Sequence, residues 1–89
     1  MMREMRIELN TIDKVKRFVS LISTLDGEFD ILAGRYVIDA KSILGIFSVD
    51  LSKPLTLRIE QEDDWDTVQD TLGEFVCRQR TVQTKILHQ

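Results

Sequence analysis

The stretch DAKSILGIFSVDL, residues 39–51, sets a serine at the head of a short apolar run with a glycine in its middle. From Ser42 to Phe47 or Ser48 there is room for one short helix with Ser42 at its start. A helix of this length buries only one side. Some of Ile43, Leu44, Ile46 and Phe47 must therefore be core, and the rest must form a small apolar patch of a kind ordinary on monomers. Ser42 is then either a plain helix cap, worth about 1 kcal/mol, or a cap that is also a modification site. Its surroundings in the sequence bear on the choice.

Just upstream, Glu28–Leu32 and Tyr36–Ala40 read as strands around a turn at Ala33-Gly34-Arg35, which predicts a hairpin. Residues 2–9 alternate, with Met5, Ile7 and Leu9 on one side and Arg6 and Glu8 on the other, the period of a half-buried strand. From Asn10 the period changes. Ile12, Val15, Phe18, Val19, Ile22 and Leu25 fall on one helical face, Asn10 or Thr11 can cap it, and Asp26-Gly27 ends it. Downstream, Pro54 opens a fourth strand in which Leu55, Leu57 and Ile59 alternate with polar residues. The segment from roughly Asp63 to Gln83 reads as a last helix, with Trp65, Val68, Leu72, Phe75 and Val76 at helical spacing and acids in its first turn.

The order is strand, helix, strand, strand, helix, strand, helix. Four strands with one apolar face each need one covering layer. The prediction is an α+β open-faced sandwich, a four-stranded, mainly antiparallel sheet with three helices on one face and a wet opposite face. Residues 1–84 form the single domain and 85–89 a tail, in which Ile86 and Leu87 can serve a dimer.

Composition bounds the function. The 89 residues are 43% hydrophobic and 30% charged, a globular balance. A net charge of −3 gives no overall attraction for nucleic acid or an anionic membrane. No apolar stretch approaches the roughly 20 residues of a membrane span, and MMREMRIELN does not read as a secretory leader. One cysteine, Cys77, makes no internal disulfide and reads as a buried small hydrophobe; a cytoplasmic setting is expected. The acids between Glu60 and Glu74 lack the spacing of a calcium loop, so no metal is expected, and no cofactor either. Trp65 reads as core or core edge.

With these elements in place, AKSILGIFSV at residues 40–49 resembles the serine-bearing helix of HPr, the phosphocarrier family of the bacterial sugar phosphotransferase system. Lys41, Ser42, Ile43, Gly45 and Ser48 match the family's residues, and Leu44, Ile46, Phe47 and Val49 are apolar replacements. RFVSLI at 17–22 stands where the family has its first helix, with Phe18 and Val19 matching, and the element order is the family's βαββαβα. The resemblance fails at the family's reactive centre, a pattern Gly-x-His-x-Arg-Pro at the head of the first helix. Leu9 stands at the glycine position, Thr11 at the histidine, Asp13 at the arginine and Lys14 at the proline. The one histidine, His88, is penultimate in the chain.

Imidazole suits reversible phosphotransfer because it is nucleophilic at neutral pH, whereas a threonine hydroxyl needs a base to activate it. No catalytic residue is therefore assigned, and the chain is not expected to be an enzyme. What the resemblance leaves is Ser42, at the position where the family carries a regulatory phosphorylation site. Family members that keep this serine and lack the histidine are regulatory. The resemblance thus implies protein partners, namely an HPr-type serine kinase or a transcriptional regulator. Lys41, Ile43, Leu44 and Phe47 are the expected docking residues, and a phosphate on Ser42 would meet free helix N–H groups. Two alternatives stand beside this. One is a phosphocarrier with an unrecognised acceptor; the other is a binding module in which Ser42 is only a cap. The segment VDLSKPL is about two residues shorter than its family counterpart and carries Pro54, so the rim of the docking surface is expected to differ.

Overall fold

Alternation of side chains builds the sheet. In the computed structural model, which describes residues 2–60 and 64–77, β1 (Met2–Ile7), β2 (Glu28–Ala33), β3 (Tyr36–Asp39) and β4 (Leu55–Glu60) pair in the order β1-β4-β2-β3. All three pairings are antiparallel. Residues directly opposite one another share a face. Met5, Leu57, Ile31 and Ile38 therefore make one inward row, and Ile59 with Phe29 another. The row Glu4–Arg58–Asp30–Asp39 between them, and Arg6–Thr56–Leu32–Val37 beyond the first, lie on the face left to water.

β1 and β2 both lie antiparallel to β4 and flank it, so the chain must cross the sheet between them; α1 (Ile12–Ile22) makes that crossing. β3 and β4 flank β2 in the same way, and α2 (Ile43–Phe47) carries the chain between them. With α3 (Trp65–Leu72), these helices cover the apolar face. Val15, Phe18 and Ile22 of α1, Ile46 of α2, and Val68 and Leu72 of α3 are fully buried in one cluster with Ile7, Ile31, Leu57 and Ile59. Each such side chain stabilises the fold by about 1.5–3 kcal/mol relative to exposure. Phe18 and Phe75 meet edge to face, centroids 5.3 Å apart.

The sequence expectations hold for every element's existence and for the one-sided packing, and fail at several ends. β1 stops at Ile7, although Leu9 stays buried. α1 ends at Ile22 and not at Asp26-Gly27. There the hydroxyls of Ser23 and Thr24 donate to the carbonyls of Val19 and Leu21 at 2.7 and 2.6 Å. These bonds close the helix early. Leu25 still turns inward to the core. Gly27, at φ 121°, supplies a backbone conformation that a side chain would strain before the chain enters β2.

The largest correction is the last helix. α3 ends at Leu72, a 3-10 turn spans Gly73–Phe75, and Val76 then bridges antiparallel to Ile7. Glu8 N–H donates to the Phe75 carbonyl and Cys77 N–H to the Arg6 carbonyl, each at 2.8 Å. Pairing with β1 replaces the helical bonds that the apolar spacing suggested. Cys77 is therefore on an extended segment and only half-buried, not in a helix core. Trp65 sits at the core edge as expected, with the Arg3 guanidinium 4.6 Å from its ring centroid. The expected continuation to Gln83, the domain limit at 84, the tail 85–89 and His88 lie outside the described residues.

Candidate functional site

Two helix starts hold the residues singled out by the sequence. Thr11 is the N-cap of α1: it is extended, at φ −137° and ψ 158°, and its hydroxyl oxygen accepts from Lys14 N–H at 3.1 Å. Asp13 stands exposed in the first turn. A cap hydroxyl beside a carboxylate offers no nucleophile comparable with imidazole, and the Asp13 charge would repel an incoming phosphoryl group. Of the cations on this helix, Arg17 is paired with Glu74 at 2.7 Å, which lowers the local positive field further.

Ser42 is the N-cap of α2. Its oxygen accepts from Gly45 N–H at 3.1 Å and its carbonyl from Ile46 N–H at 3.0 Å. The glycine matters here. A Cβ on Gly45 would stand 2.8 Å from Ile38 Cγ2 and 3.2 Å from Ser42 Oγ, so only a residue without a side chain lets α2 lie this close to β3 while the cap stays made. Ser42 is half-buried, and Asp39, which closes the turn before it, accepts from Lys41 N–H at 2.9 Å.

The expected docking residues separate into two groups. Leu44 is 80% exposed and Phe47 42% exposed, and their i, i+3 spacing makes them neighbours on the outer side of α2. Ile43 is partly buried against the core. Lys41 is committed elsewhere: its ammonium donates to the Leu25 carbonyl at 3.1 Å and lies 5.6 Å from the centre of the Phe29 ring. Ile46, between Leu44 and Phe47, is the member of the run that is fully buried.

At the head of α1, one apolar residue departs from its expected burial. Ile12, assigned to the buried face of α1, is 63% exposed. It is the first residue of the helix; helical periodicity gives the direction in which a side chain leaves the axis, not how far along it the core extends. Among the described residues no group of three or more His, Cys, Asp or Glu side chains could hold a metal ion.

In the loop between α2 and β4, Asp50 accepts from the Ser52 hydroxyl at 2.6 Å and from Ser52 N–H at 3.0 Å. Those two bonds, helped by the charge of Lys53, hold its carboxyl below the usual carboxylate range.

No family model matches the sequence, and no curated protein matches it. Among solved structures, the phosphocarrier protein HPr from Bacillus anthracis strain Ames is similar. The two are 18% identical with a TM-score of 0.67, over 83% of this chain and 96% of that one. Strand order, crossing helices and the one-sided core therefore belong to a known architecture: the fold of this chain is the HPr fold.

Proposed function

We propose that this chain is a regulatory or interaction protein on the HPr scaffold, related to the phosphotransferase system. Ser42 is its phosphorylation site, and the outer side of α2 is its docking surface. It acts through protein partners, an HPr-type serine kinase or a transcriptional regulator, and neither catalyses a reaction nor carries phosphate on a side-chain nitrogen. The observation that carries the reading is Thr11: at the position where the resemblance expects the histidine, its hydroxyl caps α1 and accepts from Lys14 N–H. Leu44 and Phe47, exposed beside Ser42, supply apolar area that the fold itself does not use. A cytoplasmic setting belongs to the same reading; no described helix is long and apolar enough to cross a membrane.

Incubation with the first enzyme of the phosphotransferase system and phosphoenolpyruvate tests the loss of carriage. No acid-labile phosphate should appear on the chain, and its appearance would sink the proposal. A second reading, in which Ser42 only caps α2, is favoured by the bond from Gly45 N–H. Under it, the family's serine kinase with ATP leaves Ser42 unmodified.

A further inference from the structure

At the end of the sheet away from Met2, a cavity of about 530 Å³ opens between the β2–β3 turn and the loop from Ser48 to Pro54. That volume is on the scale of small-molecule sites, about 300–1,000 Å³. Arg6, Thr56 and Leu32 are consecutive cross-strand partners from three strands and line it side by side. Val49 and Pro54 add apolar wall, and Lys53 a second cation.

The charge balance of this lining runs against that of the whole chain, which is −3. Arg6 and Lys53 face a single acid, Asp50. The Asp50 carboxylate is fixed by two hydrogen bonds from Ser52 and stays charged, so the lining carries one net positive charge. Among the described residues Arg6 has no ion pair, and the Thr56 hydroxyl no hydrogen-bond partner within the protein. A planar guanidinium, an ammonium and a hydroxyl beside apolar side chains form a site for an anion that carries an apolar body.

We infer that this cavity binds a small organic anion, with its carboxylate or phosphate on Arg6 and Lys53 and its apolar part against Leu32, Val49 and Pro54. The site lies apart from Thr11 and Ser42, neither of which lines it, so it does not rest on the function proposed for them.

The test is a titration of the isotope-labelled full chain, followed by backbone amide resonances, with benzoate, phenyl phosphate and neutral benzyl alcohol as probes. Both anions, or one of them, should produce saturable shifts at Leu32, Val49, Lys53 and Thr56, while benzyl alcohol produces none. The tighter anion identifies carboxylate or phosphate as the preferred group. Arg6→Gln should weaken binding about tenfold or more, as expected for loss of a charge-assisted pair. Lys53→Gln, on an exposed loop, should weaken it in the same direction without touching the sheet. Three results would overturn the inference: no saturable shift at these amides, equal response to the alcohol, or unchanged affinity in both variants.

Discussion

At the scale of single residues, the glycine of α2 carries more than the serine it accompanies. The Cβ of Gly45→Ala would stand within 3.2 Å of both Ile38 Cγ2 and Ser42 Oγ, so either α2 moves from the sheet or the cap opens. Urea unfolding should show a loss of about 1–3 kcal/mol, larger than the roughly 1 kcal/mol for Ser42→Ala. Ser42→Asp, which keeps an oxygen acceptor, should lie near wild type in the same assay; a loss as large as that of alanine would show that the cap contributes little. Asp50 gives a pH signature. Because its carboxyl is depressed in the folded protein, it contributes stability that is present above the unfolded carboxylate value and is lost as pH falls through the folded value. Ser52→Ala removes the largest cause and should move the Asp50 titration upward, read by carboxyl chemical shifts. An unchanged midpoint would contradict the hydrogen-bond account.

At the scale of elements, β-strand periodicity proved a good guide because it fixes facing, and facing decides burial. The alternation around Ile7, Ile31, Leu57 and Ile59 was legible, and all four are fully buried. Helix ends were less legible. Trp65, Val68, Leu72 and Phe75 keep helical spacing across Gly73, yet the backbone leaves the helix there to bond with β1, a long-range pairing that local spacing does not encode. The candidate site divides along the same line. Both caps could be read from short polar residues ahead of apolar runs. The inward turn of Lys41 and the exposure of Ile12 depend on how the helices lie on the sheet. The wet face of the sheet also shows what periodicity leaves open. Register sets Glu28 opposite Glu60 and Asp30 opposite Asp39, with Arg58 relieving only Asp30 at 3.3 Å. Like charges directly opposite destabilise a sheet. Glu28→Lys should therefore stabilise the protein by about 0.5 kcal/mol at low ionic strength, and the gain should fade as salt is added.

At the scale of the whole molecule, a chain with the HPr fold has a helix cap at Thr11, and α2 carries a cap at Ser42, a close-packed glycine and an exposed apolar side. Fold does not confer activity; a site does. If the chain works through Ser42, Leu44→Asp should abolish partner binding with little change in thermal midpoint, since Leu44 is 80% exposed, whereas Phe47→Asp, at 42% exposure, should abolish it with some loss of stability as well. The most direct measurement comes one step earlier: phosphosite mapping by mass spectrometry after incubation with the family's serine kinase and ATP. The account predicts acid-stable phosphate on Ser42 and none on Ser42→Ala. A chain left unmodified at Ser42 would contradict it.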